Sequence, residues 1–189
     1  MMGKGRLEAF SDGVIAVIIT IMVLELKPPH GIEPQVLLED YPAFLAYVLS
    51  FVVVGVVWVS HHHLLHAVEK VSGSLLWANM NLLFWVSLIP FTTAWMGESH
   101  FAPWPVFIYS LNAFLATSSY ALLTWTAVWD HGPQSRMAKA VGKNGKSILT
   151  IAVYLAAMAT ALFSPMLACV FLIAGPAIWF IPDRRFENR

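Results

Sequence analysis

The sequence predicts an all-α membrane protein that crosses the bilayer six times, and three observations support this fold class. Of its 189 residues, 58% are apolar and 12% are charged, whereas a soluble domain usually carries about 25% charged residues. Six apolar stretches approach the roughly 20 residues that a helix needs to span the hydrocarbon core. Basic residues are concentrated in alternate loops, as the positive-inside rule requires for an even number of spans. We therefore predict one transmembrane domain covering 1–189.

Prolines and polar residues set the limits of the predicted spans. The first span ends before Lys27-Pro28-Pro29 because a proline pair does not continue a helix. It is longer than the apolar region of a signal peptide and carries acidic residues, so we expect it to stay in the protein. Only Ser164-Pro165 separates the last two spans, which predicts an antiparallel helical hairpin. The predicted spans are 7–26, 41–62, 75–96, 106–129, 147–163 and 166–181.

The distribution of lysine and arginine predicts that both termini are cytoplasmic. With this orientation, ten of the eleven basic residues lie on the inner side and only Lys27 lies on the outer side. The ten inner residues are Lys4, Arg6, Lys70, Arg136, Lys139, Lys143, Lys146, Arg184, Arg185 and Arg189. The predicted outer loops carry Glu33, Glu39, Asp40 and Glu98. The outer vestibule is therefore expected to be mildly acidic.

Composition and motifs exclude several functional classes. Eleven basic and eleven acidic residues give no net charge, so no overall field attracts nucleic acid. The single cysteine, Cys169, excludes a disulfide framework. His62 and His66 lie four apart, which suits two ligands on one helix face, but Glu69 is the only nearby carboxylate and we expect no metal site. The sequence contains no nucleophile–base pair or nucleotide-binding loop, so we expect neither catalysis nor a cofactor.

One stripe of the first helix combines apolar residues with a threonine. At about 100° per residue, positions spaced three and four apart fall on one face. The stripe contains Phe10, Gly13, Val17, Thr20 and Leu24. Asp12 lies roughly 140° away from Val17, so the helix contacts two different environments. Spacing alone leaves two interpretations of the stripe open, ordinary helix packing or a functional surface.

The inner end of the first helix is polar, and ionisable groups inside a span are functional hypotheses by default. The carboxylate of Asp12 needs charged or hydrogen-bonding partners if it is buried. At the same predicted depth, the second span carries Trp58, His61 and His62, which lie three and four residues apart. We expect Trp58 and one imidazole, of His61 or His62, to pair with Asp12 together with Arg6 and Ser11. A buried carboxylate that only orients helices is the alternative.

Two segments resemble signatures of one known family. The stretch 6–12, RLEAFSD, resembles the RxxxFSD signature of the transmembrane protein 175 family, the lysosomal potassium channels and their prokaryotic homologues. The stretch 58–62, WVSHH, resembles the WxxHH element of the same family. Residues 81–84 and 89–91 resemble its third helix. The resemblance extends from about Arg6 to Phe91.

This resemblance implies a potassium-permeable cation channel of the plasma membrane, a homotetramer whose first helices line a central pore. It places Val17 at the narrow part of the pore, with Thr20 and Leu24 one and two turns further out and Gly13 on the inner side. It also implies a structural and gating network that holds the pore helix without lining the pore. The network residues are Arg6, Phe10, Ser11, Asp12, Trp58, His61 and His62. Potassium ions, membrane lipids and further copies of the chain are the expected partners.

A pore of this kind would be narrowed by side chains. Rings of Val17 and Leu24 form a short dry neck that gates by dewetting, and Thr20 hydroxyls replace part of the hydration shell of a passing potassium ion. Because the sequence has no TVGYG-type loop and an apolar neck has little field strength, we expect only modest potassium-over-sodium selectivity. A secondary transporter and a non-transporting scaffold are the alternatives. A transporter usually has broken helices and paired repeats.

Overall fold

The structure, a computed structural model, describes residues 3–28, 31–33, 35, 38, 40–132, 134–141 and 145–180. Within these ranges all regular secondary structure is helical, which confirms the all-α prediction. The elements are α1 (Lys4–Leu24), α2 (Tyr41–Ala67), α3 (Gly73–Ser87), α4 (Ile89–Glu98), α5 (Pro103–His131), α6 (Arg136–Val141), α7 (Gly145–Ala161), α8 (Pro165–Ala177) and a closing 3-10 turn (Ile178–Phe180). Several residues used above, namely Glu39, Lys143, Arg184, Arg185 and Arg189, lie outside the described residues.

Four helical segments of the described chain are long and apolar enough to cross a membrane. They are α1, α2, the α3–α4 pair (Gly73–Glu98) and α5. The remaining apolar helices, α7 and α8 with its 3-10 turn, are shorter (Gly145–Ala161 and Pro165–Phe180). The chain is therefore a multi-pass membrane protein by the length and composition of its helices.

The two largest differences from the predicted spans are in α2 and in the third span. The α2 helix continues to Ala67, five residues past the predicted end at 62, since a helix can extend beyond the apolar residues on which the prediction was based. The predicted third span is two helices that meet at Leu88. Pro90 lies at the start of α4 and has no N–H to donate to the preceding turn, which breaks the helix there.

Each end of α1 contacts the end of another helix. At the start of α1, Lys4 Nζ donates a hydrogen bond of 2.7 Å to the carbonyl oxygen of His66, at the end of α2. At the other end, Lys27 Nζ contacts Glu98 Oε1, at the end of α4, at 2.5 Å. The residues predicted to be inner and outer therefore lie at opposite ends of α1.

The end of α5 anchors the connection between α2 and α3. His131 Nε2 accepts hydrogen bonds from the backbone N–H groups of Glu69 and Lys70, at 3.1 and 3.2 Å. Ser72 caps α3 by accepting from Leu75 N at 3.0 Å, and its hydroxyl also contacts the carboxylate of Asp130. The histidine thus satisfies two backbone donors of the connection, and Ser72 satisfies one at the start of α3.

The α5 helix packs against α3, α4, α7 and α8, and α7 and α8 form the predicted hairpin. The α1 helix packs against α2, α3 and α4. Its buried stripe contains Leu7, Ser11, Ile15, Ile18 and Met22. Much of the opposite surface of α1 is left uncovered within the chain. This asymmetry positions the candidate site.

Buried hydroxyl and amide groups connect the spans. Ser50 on α2 lies 2.9 Å from the hydroxyl of Tyr109 on α5, and Thr93 on α4 donates to Ser50 at 2.6 Å. Asn81 on α3 donates to Ser119 on α5 at 2.7 Å. Because lipid offers these groups no partners, hydrogen bonds between helices satisfy them and help to fix the packing.

Replacing Gly175 with alanine is expected to destabilise the hairpin of α7 and α8. A Cβ atom at Gly175 would lie 2.4 Å from Cε1 of Tyr154, a ring that is itself buried. Overpacking of this kind typically costs about 1–3 kcal/mol, and thermal unfolding in detergent measures it. Gly55→Ala is the matched control, because a Cβ there meets no atom within 4 Å. Equal unfolding temperatures for the two variants would contradict the close packing at Gly175.

Candidate pore helix and its supporting network

The uncovered face of α1 carries all four residues predicted to line a pore. Val17 is 54% exposed and Leu24 is 77% exposed within the chain. Gly13 and Thr20 are exposed on the same face. In a helix apolar enough to cross a membrane, exposed apolar side chains of this kind can face lipid or another protein surface. The structure thus brings the stripe together on one face and leaves that face free for lipid, for a second copy of the chain or for a pore.

Thr20 is the polar residue in the middle of this stripe. Its Oγ1 lies 2.9 Å from the carbonyl oxygen of Val17 and 3.2 Å from that of Ala16. The hydroxyl donates its single proton to this pair of carbonyls, as threonine commonly does in a helix. The lone pairs of the oxygen are left directed away from the backbone. A hydroxyl held in this way can accept a hydrogen bond or coordinate a cation.

An open apolar groove of about 800 Å³ lies between α1 and the helices α3 and α4, and the stripe residues Phe10, Gly13 and Val17 form part of its wall. Phe10, Val17 and Ile21 line it from α1, and Pro90 and Phe91 line it from α4. Phe10, predicted to belong to the network, is therefore on the exposed side of α1. The groove has the shape and chemistry to receive an apolar helix.

Asp12 contacts α2 through one of its expected partners. The indole Nε1 of Trp58 donates a hydrogen bond of 3.0 Å to Asp12 Oδ1. His62 packs beside Trp58, with ring centroids 6.1 Å apart, and beside His66 at 6.3 Å. The described residues contain no group of three or more histidine, cysteine, aspartate or glutamate side chains arranged to hold a metal ion.

The other expected partners of Asp12 are arranged differently. Arg6 is exposed, and its side chain makes no hydrogen bond or ion pair with any residue that the structure describes. Because Arg6 lies seven residues before Gly13, it shares the exposed face of α1 and points away from α2. Ser11 lies on the buried stripe, about 100° from Asp12, and bonds to a residue on α3 instead. The expectation that Arg6, Ser11 and an imidazole all pair with Asp12 therefore does not match the contacts.

A second buried network joins the first three spans through Asn79. His61 Nε2 lies 2.7 Å from Asn79 Oδ1, and because an amide oxygen only accepts, the imidazole donates. Asn79 Nδ2 donates to Ser11 Oγ at 3.0 Å. All three side chains are at most 1% exposed. The structure thus divides the expected network into an Asp12–Trp58 pair and a Ser11–Asn79–His61 chain.

The position of Asn79 inside an apolar span predicts hydrogen bonds to other helices, since an amide in lipid requires partners, and the structure has them. What sequence reasoning missed is that the partners of Asn79 are Ser11 and His61. The sequence pattern of α3 shows that Asn79 needs partners, but it does not identify those partners on α1 and α2.

The part of the chain that carries Asp12, Trp58, His61 and Asn79 is similar to known proteins. The sequence model of the family described as "Endosomal/lysosomal potassium channel TMEM175" matches residues 6–90. A potassium channel of Chryseobacterium sp. (strain P1-3) is 47% identical over 187 residues, which cover 99% of this chain and 97% of the relative. The chain belongs to the TMEM175 family. This confirms the resemblance drawn from the RxxxFSD and WxxHH segments, and it places the protein in a class of channels rather than enzymes.

Two further members of the TMEM175 family extend the comparison. A crystal structure titled as a lysosomal potassium-selective channel TMEM175 homolog from Chamaesiphon minutus superposes with a TM-score of 0.80 at 25% identity, covering 98% of both chains. Human TMEM175, named an endosomal/lysosomal proton channel, is 32% identical over 148 residues. That match covers 69% of this chain but only 29% of the human protein. The bacterial relative and the solved homolog therefore share the whole fold, and the human protein is much longer.

Proposed function

We propose that the protein is a potassium-permeable cation channel in which the exposed stripe of α1 lines the pore. The observation that carries this proposal is the uncovered stripe of Gly13, Val17, Thr20 and Leu24 in a member of a channel family. The bacterial relative that matches almost the full chain is named a potassium channel. Potassium is accordingly the permeant ion that we propose for this chain.

The proposed channel is a homotetramer of six-span subunits with both termini in the cytoplasm. At about 1.5 Å per residue, the 17 residues of α7 reach about 26 Å, so local thinning of the bilayer or flanking residues must complete the span. The strong bias of basic residues sets the orientation, and the plasma membrane is the proposed location.

The apolar groove beside α1 supports the assembly. Four copies of α1 around one axis would turn Val17 toward the pore and bring a neighbouring subunit against the side of the groove that Pro90 and Phe91 line. Phe10 and Phe91, which are 48% and 63% exposed within one chain, would then be covered. Close van der Waals packing of these side chains against the neighbouring subunit is expected to stabilise the association, because lipid tails are as apolar as the side chains and their burial alone supplies no driving force.

The stripe indicates how such a pore would work. Val17 and Leu24 offer only apolar surface, so rings of these residues form constrictions that open and close by wetting. Thr20 lies between them and presents an oxygen that can replace part of a hydration shell. A single Thr20 oxygen from each subunit holds an ion weakly, so the proposed preference for potassium over sodium is modest.

Potassium flux out of proteoliposomes tests this function. Vesicles loaded with potassium in a sodium bath are expected to become negative inside when the channel conducts, as a membrane-potential dye reports. Thr20→Val is expected to reduce the potassium preference, whereas Val170→Ala on the exposed face of α8 is the matched control. Absence of a potential in vesicles that respond to an added potassium ionophore would contradict the proposal.

The same vesicles separate the competing functions. A proton gradient without a potassium gradient measures whether protons are the permeant ion, as the printed name of the human relative states for that protein. Flux that saturates at low potassium concentration and stays below channel rates would identify a transporter. The unbroken α1 helix favours a pore, because transporters bind their substrates at interrupted helices.

A further inference from the structure

The outer end of α1 is tied to the outer end of α4 by one ion pair. Lys27 Nζ donates to Glu98 Oε1 at 2.5 Å, across 71 positions of sequence. Both side chains stay accessible, at 75% and 52% exposure. Ion pairs as exposed as this one add little to folding stability. What the pair does determine is where the positive charge of Lys27 is held.

Lys27 follows the outer end of the pore helix. The α1 helix ends at Leu24, Glu25 keeps helical angles of φ −75° and ψ −16°, and Lys27 comes two residues later, outside the helix. It is three residues after Leu24, the outermost residue of the pore stripe. Without a partner, the flexible lysine side chain could therefore extend over the outer mouth of the proposed pore.

Carboxylates surround this lysine and keep it charged. The hydrogen bond to Glu98 and the negative charge of that residue raise the pKa of Lys27 above its usual value, and Glu25 and Asp40 add to the effect. Lys27 is also the single basic residue on the predicted outer side. A permanent positive charge therefore has to be directed away from the ion path or it will repel cations there.

We propose that Glu98 is a positioning residue that holds the ammonium group of Lys27 away from the pore axis and thereby keeps the outer mouth favourable to cations. This role rests on the proposed channel function. Glu25, at the end of α1, then leaves each subunit with a net negative charge at the mouth. Four such subunits would concentrate potassium ions in front of the constriction.

Potassium conductance measured from the outer side at two salt concentrations tests this role. Glu98→Gln in the full-length channel frees Lys27, and we expect a drop of about two- to threefold at about 0.1 M KCl, where the Debye length is about 10 Å. At about 1 M KCl the Debye length falls to about 3 Å, and the difference should disappear. Glu33→Gln is the matched control, because it removes one outer negative charge without freeing a lysine.

A double-mutant cycle separates positioning of charge from a simple mechanical tie. Lys27→Gln alone is expected to conduct at least as well as the wild type at about 0.1 M KCl, and Lys27→Gln/Glu98→Gln should restore wild-type conductance. If the pair only fastened two helix ends, both single variants and the double variant would lose conductance equally at either salt concentration. That result, or an unchanged Glu98→Gln variant, would overturn the proposal. A wild-type protein that conducts no ions would refute the channel function and this role with it.

Discussion

Replacing Val17 with asparagine is expected to raise potassium conductance and weaken ion selectivity. The substitution puts amide groups where the proposed neck has only methyl groups, so the neck stays wet and its dewetting barrier falls. A barrier lower by about 1.4 kcal/mol corresponds to about tenfold in rate, and we expect an increase of at least this order. Single-channel recording in planar bilayers measures both conductance and reversal potential. Leu24→Asn, two turns further out, should act in the same direction.

Val23→Asn is the matched control for this experiment. Val23 belongs to the same helix and is also exposed within the chain, at 46%, but it lies about 120° from Val17 around the helix axis. The same chemical change there should leave conductance close to that of the wild type. Unchanged currents in both Val17→Asn and Leu24→Asn, with a change in Val23→Asn, would mean that another face of α1 lines the pore.

Replacing Asn79 with leucine is expected to destabilise the protein strongly. The change keeps the side-chain volume nearly constant but leaves His61 and Ser11 buried without a partner. An unsatisfied buried polar group costs about 1–3 kcal/mol, so two of them should lower the unfolding free energy by several times the roughly 0.6 kcal/mol of an average hydrogen bond between membrane helices. Thermal unfolding of the full-length protein in detergent measures the loss.

A compensating variant shows whether unpaired polar groups cause this loss. The triple variant Ser11→Ala/His61→Phe/Asn79→Leu replaces all three polar side chains of the Ser11–Asn79–His61 network. No buried polar group of this network is then left without a partner, so much of the stability should return. Asn81→Leu serves as the control, because Asn81 makes a single hydrogen bond to Ser119 and a smaller loss is expected. If the triple variant unfolded no later than Asn79→Leu, packing rather than polar satisfaction would explain the effect.

That Val17, Thr20 and Leu24 share one face of α1 could be predicted from the sequence because helical periodicity is a local property. Residues spaced three and four apart must share a side of a regular helix, whatever the rest of the chain does. The structure therefore leaves Val17, Thr20 and Leu24 uncovered on one face and places Ile15 and Ile18 in the core. The contact between Asp12 and Trp58 could be expected for a related reason, since predicted topology sets both residues at one depth.

Contacts that depend on how spans are rotated relative to one another could not be predicted in this way. Ser11 and His61 were expected beside Asp12, but the rotation of α3 brings Asn79 between them. The pairing of Lys27 with Glu98 depends likewise on where α4 ends after its break at Leu88. Local pattern fixes which face of a helix is apolar, whereas the partner of each polar group follows from packing of the whole bundle.

Accessibility of a single cysteine to cadmium tests most directly whether α1 lines the pore. The chain has one native cysteine, so Val17→Cys in a Cys169→Ala background would carry one thiol per subunit, and thiolates bind soft metal ions tightly. Our account predicts that micromolar cadmium blocks the potassium current of this variant and spares both the Cys169→Ala parent and the same background carrying Val23→Cys. A Val17→Cys channel that conducts through cadmium while the Val23→Cys channel is blocked would contradict the account.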